Sequence, residues 1–136
     1  MLEETVLLVE DDPETLDIMA AVLRDAGYSV LVAAHEGAAL AQLAAHAEIA
    51  VIVTDACFGD GSSGLCMAEN VRSQGSMAPI VVTSSNPDAS CATLGAAAVI
   101  LHKPYGRAAL LEAVAAALGR SVRRAVPQVL QFRAVG

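Results

Sequence analysis

The sequence predicts an α/β domain, a doubly wound, five-stranded parallel sheet with five helices. Three observations predict it. Short apolar, β-branched runs alternate five times with segments whose apolar residues recur at helical spacing, which is the pattern of a parallel sheet covered on both faces. The run Ile49-Ala50-Val51-Ile52-Val53-Thr54 is apolar without alternation, as a strand buried on both faces must be. The chain is 55% hydrophobic with no Trp, so Ala, Val and Leu must build the core, which suits closely packed helix-on-sheet layers.

The elements follow in order. Thr5-Val6-Leu7-Leu8-Val9 is the first strand, and it ends in Glu10-Asp11-Asp12-Pro13. Asp12 followed by Pro13 is a helix start: a capping carboxylate, then a proline at the first helical position. Leu16, Met19, Ala20 and Leu23 carry that helix, and Gly27 closes it. Ser29–Ala33 reads as a weaker strand at the sheet edge. Leu40, Leu43, Ala44 and Ala47 mark an Ala-rich second helix. The central strand then ends in Asp55, and the loop Ala56-Cys57-Phe58-Gly59-Asp60-Gly61-Ser62-Ser63-Gly64 follows. Leu65, Ala68 and Val71 mark the third helix, which ends near Gly75. Pro79-Ile80-Val81-Val82-Thr83 is the fourth strand, running into Ser84-Ser85-Asn86. A short, weakly anchored helix is expected over residues 87–94. Val99-Ile100-Leu101 is the fifth strand, ending in His102-Lys103-Pro104-Tyr105. Leu110, Leu111, Val114 and Leu118 form the last helix, before Gly119.

Composition excludes several classes. With 136 residues the chain has the size of one ordinary domain. Residues 1–119 are expected to form it, and residues 120–136 a basic tail, either a helical extension or disordered. No apolar run approaches the ~18 residues needed to cross a bilayer. The start Met1-Leu2-Glu3-Glu4 is acidic, unlike a signal peptide. Cys57, Cys66 and Cys91 are odd in number and lack CxxC spacing, which favours a reducing cytoplasm. His35, His46 and His102 show no metal-ligand spacing and read as incidental. The tail carries +4 of a net charge of −7, leaving −11 on the rest, so nucleic acid is an unsuitable ligand for the body.

The strand ends carry the chemistry. Glu10, Asp11 and Asp12 lie just past the first strand, Asp55 ends the third, Ser84 the fourth and Lys103 the fifth. In a sheet of order 2-1-3-4-5 these four strands are consecutive neighbours, so the groups converge on one rim. Two carboxylates ~4 Å apart repel by about 4 kcal/mol at an effective dielectric of 20. A helix cap contributes only about 1 kcal/mol, so capping alone does not explain the crowding of Glu10, Asp11 and Asp55. A cation should compensate: Lys103 in part, and a hard divalent ion such as Mg²⁺ for the oxygen-rich remainder. A metal beside an exposed Asp, with a hydroxyl and a lysine opposite, suits phosphoryl transfer to the Asp55 carboxylate.

At these residues the sequence resembles the receiver domain of the two-component response-regulator family, over about residues 5–119. The matching pieces are Leu7-Leu8-Val9-Glu10-Asp11-Asp12-Pro13, Val53-Thr54-Asp55, Pro79-Ile80-Val81-Val82-Thr83-Ser84-Ser85 and Lys103-Pro104-Tyr105. The resemblance implies a flavodoxin-like fold with strand order 2-1-3-4-5. It implies that Asp55 is the phosphoacceptor, assisted by Lys103 and Ser84. It implies that Asp11, Asp55 and the backbone carbonyl of Cys57 ligate Mg²⁺, with Glu10 acting through water, and that the Lys103–Pro104 bond is cis. The implied partners are a histidine kinase or phosphotransfer protein and a downstream protein target; the oligomeric state is left open, with a homodimer among the alternatives. No DNA-binding domain and no membrane contact are expected, and the expected compartment is the cytoplasm.

Three departures from the family pattern stand out. Gly59 occupies the usual proline position four residues after the phosphoacceptor, the loop to Gly64 is one residue longer than the commonest version, and Ile100 replaces the usual aromatic residue three before the lysine. The first two loosen the loop, and the third puts the usual coupling to the partner surface in doubt. Two other readings compete with the switch: a receiver-like interaction module that works without phosphorylation, and a receiver cut from a larger regulator or hybrid kinase. The tail shows no output-domain signal, which favours a free-standing chain. A turnover enzyme fits less well. An aspartyl phosphatase often has a second Asp where Cys57 stands, and a flavin phosphate would meet repulsion from Glu10-Asp11-Asp12.

Overall fold

The computed structural model describes residues 4–58, 61, 63–86 and 98–119. The order of elements is β1 (Thr5–Val9), α1 (Pro13–Asp25), β2 (Ser29–Ala33), α2 (Glu36–Ala45), β3 (Ile49–Asp55), α3 (Gly64–Ser73), β4 (Ile80–Ser84), β5 (Ala98–His102) and α4 (Arg107–Ala117). All strand pairs are parallel, and the sheet order is β2-β1-β3-β4-β5, as expected.

Strand periodicity sorts the core into two layers, because successive side chains leave opposite faces of a strand. Val6, Leu8, Val51, Val53 and Val81 face Met19 and Leu23 of α1 and Leu110 and Val114 of α4. Leu7, Val9, Ile52, Ile80 and Val82 face Ala39 of α2 and Met67, Ala68 and Val71 of α3. Both layers being apolar is why β1 and β4 are buried along their whole lengths. Each fully buried Leu, Ile or Val stabilises the fold by roughly 1.5–3 kcal/mol.

β2 is the edge strand anticipated from its weaker pattern. Flanking helices satisfy two of its carbonyls: Arg24 Nη2 donates to Val30 O at 3.3 Å, and Gln42 Nε2 donates to Val32 O at 3.1 Å. Side chains placed there compete with any chain that would add to the edge.

Caps set the helix starts. Asp12 accepts from Thr15 N at 3.0 Å and Pro13 opens α1, while Gly27, at φ +103°, turns the chain after it. Ser63 Oγ accepts from Cys66 N at 3.1 Å at the start of α3. α2 is capped by His35, whose Nδ1 accepts from Ala38 N at 3.1 Å. His35 is therefore not incidental. A histidine is outside the usual capping set, so the pattern gave no sign of it.

Boundaries differ in small ways. β4 begins at Ile80, since Pro79 has no N–H and contributes only its carbonyl, to Ile52 N at 2.9 Å. α2 stops at Ala45, short of Ala47. Four helices stand among the described residues. The fifth, expected over 87–94, lies outside them, as do Gly59 and the tail at 120–136.

Candidate functional site

Parallel strands deliver their carboxyl ends to one rim. At the end of β1, the Glu10 amide donates to Ala33 O of the β2 end at 3.0 Å, fixing the backbone there. The Glu10 side chain is buried, and its Oε2 accepts from Asp12 N at 3.1 Å. Burial pushes the Glu10 carboxyl above its ordinary range; the Asp12 N–H opposes this and the nearby Asp55 charge adds to it. Asp12 points elsewhere. Its carboxylate is held below the ordinary range by the Thr15 hydroxyl and amide, in keeping with a cap rather than a ligand.

Asp55 ends β3, and the next residue is tied to β4 by Ala56 N donating to Thr83 O at 2.8 Å. Carboxylate oxygens of Glu10, Asp11 and Asp55 all lie within 4.8 Å of one another. Opposite them, Lys103 Nζ donates to Asp55 Oδ1 at 3.1 Å. The aspartate side chain is 11% exposed and the lysine 36%, so the pair sits at the mouth of the rim rather than in the core. The Lys103 amide donates to Ser84 O at 2.8 Å, which ties it to the end of β4, and the Lys103–Pro104 bond is cis, as the resemblance implied.

Ser84 is buried at the end of β4, and its Oγ accepts from Asn86 N at 3.0 Å. A hydroxyl that accepts in this way keeps its own proton to donate. Cys57 is exposed two residues past Asp55, and its backbone pairs with Ser63 in an isolated antiparallel bridge. Tyr105 packs beneath the rim, with its hydroxyl 3.4 Å from Met19 Sδ. Burial, and after it the charges of Glu10 and Asp55, push its phenol up to about 12.

The structure thus brings together Glu10, Asp11, Asp55 and Lys103, with Ser84 and Cys57 on the neighbouring strand end and loop. Sequence reasoning passed over Thr54 and Gly64. Thr54 is fully buried, and its Oγ1 donates to Asp55 O at 3.1 Å. Gly64 is the first residue of α3, and its amide donates to Ala56 O at 2.9 Å. No local pattern marked either residue, since each matters only once α3 lies against the end of β3.

The response regulator receiver domain family matches residues 6–115. The chain belongs to that family. Receiver domains are the signalling domains of two-component systems, and this receiver has their fold. It is 32% identical over 118 residues to the transcriptional regulatory protein GlrR of Escherichia coli (strain K12), a match covering 85% of this chain and 26% of that protein. The transcriptional regulatory protein QseF of Escherichia coli O157:H7 matches to the same extent. The chain therefore spans about a quarter of the length of the curated relatives it matches. Among solved structures, a response regulator receiver protein from Sinorhizobium medicae WSM419 superposes with a TM-score of 0.74 at 30% identity, covering 86% of this chain and 95% of that one. A CheY-like receiver domain protein from Methanospirillum hungatei JF-1 gives the same TM-score at 23% identity, covering 87% and 95%, and supports the fold alone.

Proposed function

We propose that this receiver is a phosphorylation switch in which Asp55 accepts a phosphoryl group from a histidine kinase or phosphotransfer protein. The observation that carries the reading is the meeting of Asp55 with the carboxylates of Glu10 and Asp11 and with the ammonium of Lys103. Carboxylates this close destabilise the rim unless cations enter it, and the single ammonium of Lys103 offsets part of their charge.

The donor set fits Mg²⁺: hard oxygens, few of them, at a mouth open to water. Asp11, Asp55 and the Cys57 carbonyl would hold the ion, with Glu10 acting through a water. When bound, it supplies positive charge to the phosphoryl oxygens. The chain's own groups do the rest. An Asp55 carboxylate oxygen forms the new bond to phosphorus as the donor's bond to phosphorus breaks. Lys103 stabilises charge on the transferring group, and the Ser84 hydroxyl donates to the phosphoryl oxygens once they arrive.

Phosphorylation then changes affinity for a protein target through the different contacts of two states. The domain acts as a signalling element in the cytoplasm rather than as a turnover enzyme on a separate substrate. No helix among the described residues is long and apolar enough to cross a membrane. A second reading, a module that works without phosphorylation, is favoured by Ile100, which stands on β5 beside Val82 where the resemblance calls for an aromatic ring.

Intact-mass measurement after treatment with acetyl phosphate and Mg²⁺ tests both. One phosphoryl group on the wild type and none on Asp55→Ala is the expected result. An unchanged mass for both proteins leaves the interaction module standing.

A further inference from the structure

We propose that Gly64 is a positioning residue for Asp55: the bare first turn of α3 seats the peptide that carries the phosphoacceptor. The proposal rests on the reading of Asp55 given above. Gly64 is buried, and a Cβ built on it would collide with the backbone carbonyl oxygen of Asp55 and meet Thr54 Oγ1 at 2.8 Å. No side chain fits between α3 and the end of β3.

The surrounding hydrogen bonds make that seat rigid. Thr54 Oγ1 donates to Asp55 O at 3.1 Å. Gly64 N donates to Ala56 O at 2.9 Å, and Ala56 N donates to Thr83 O at 2.8 Å. The peptides on either side of Asp55 are therefore gripped from β3 itself, from β4 and from α3. A side chain at position 64 must push on a segment whose amide is anchored to β4. The displacement falls on the peptide of Asp55, and the carboxylate moves relative to Glu10, Asp11 and Lys103. A shift of about 1 Å in a reacting group can cost about 100-fold in rate.

The test uses the full chain and follows phosphorylation by intact mass across a range of acetyl phosphate concentrations with Mg²⁺. Gly64→Ala is compared with Gly75→Ala. Gly75 lies just beyond the other end of α3 at φ +95°, where a Cβ is strained but meets nothing within 4 Å. Both substitutions lower the melting temperature. Gly64→Ala is expected to lower the maximal rate by about 100-fold, with the half-saturating donor concentration within about twofold of wild type. Gly75→Ala is expected to keep the wild-type rate.

Equal rates for Gly64→Ala and Gly75→Ala, whether both high or both low, overturn the proposal. If circular dichroism shows Gly64→Ala unfolded, Thr54→Val decides. It keeps the volume and removes the other contact to the same carbonyl, so a several-fold lower maximal rate supports the seat and a wild-type rate refutes it. A wild-type chain that takes up no phosphoryl group overturns the phosphoacceptor reading and this proposal with it. A phosphorylated wild type beside an equally fast Gly64→Ala removes the Gly64 assignment alone.

Discussion

Replacing Asp55 by Asn should make the apo domain more stable, although it removes the proposed phosphoacceptor. Asn keeps the shape of the side chain and removes its charge. The Asp55 carboxylate lies within 4.8 Å of oxygens on both Glu10 and Asp11. At an effective dielectric of 20, each such pair repels by about 3.5 kcal/mol. Lys103, at 3.1 Å, returns about 5 kcal/mol of attraction on the same scale. The charge at position 55 is therefore a net cost, and screening at the open mouth of the rim brings it to about 1–2 kcal/mol. Urea unfolding at neutral pH in EDTA measures it. The variant should show a higher midpoint with an unchanged slope, since the surface exposed on unfolding is the same. Mg²⁺ should then raise the wild type by mass action, by about 2.7 kcal/mol at a hundred times its dissociation constant, and raise the variant less. An Asp55→Asn midpoint at or below wild type in EDTA would show that Lys103 already balances the cluster, and the case for a required second cation would fail.

Two further outcomes follow from the same rim. Lys103→Met should lower the maximal rate of phosphorylation from acetyl phosphate by about 100–1,000-fold, while Mg²⁺ affinity, followed by thermal shift, holds or rises because a competing positive charge is gone. Tyr105 should ionise near 12 in a spectrophotometric titration of the folded protein. Its raised value means that the folded state keeps the proton longer than the unfolded chain. The associated stability is fully present below about pH 10 and is lost as pH rises through about 12, by at most about 3 kcal/mol. Tyr105→Phe should flatten that alkaline loss, and an unchanged pH–stability curve would count against the buried phenol as its source.

The sheet was legible because burial on both faces leaves an unbroken apolar run, and Val6–Val9, Val51–Val53 and Ile80–Val82 are such runs. The rim residues were legible for a related reason: the polar residue that ends each run must lie at the same end of a parallel sheet. Other features depend on distances between elements that no local pattern encodes. Gly64 looks like any loop glycine until α3 is laid against β3. His35 looks unoccupied until its ring turns back to Ala38 N. The end of α2 had no glycine to announce it, and an Ala-rich segment reads as helix on either side of Ala45.

Ile100 brings the two kinds of information together. On β5 it pairs with Val82 and packs against the layer beneath α2 and α3. A β-branched side chain there is restricted about its first side-chain torsion and has no ring to swing. Asp55 meets Glu10 and Asp11 past the end of β1, pairs with Thr83 of β4 and accepts from Lys103 past the end of β5, and its peptide lies against Gly64 at the start of α3. α3 in turn reaches α2 through Asn70 Nδ2, which donates to Glu36 Oε2 at 3.1 Å. A change at Asp55 therefore meets a rigid neighbour in α3 whether or not the residue at position 100 can move. A Gly64→Ala chain that lost phosphorylation while Ile100→Tyr kept it would separate the seat of the proposed phosphoacceptor from the β5 position.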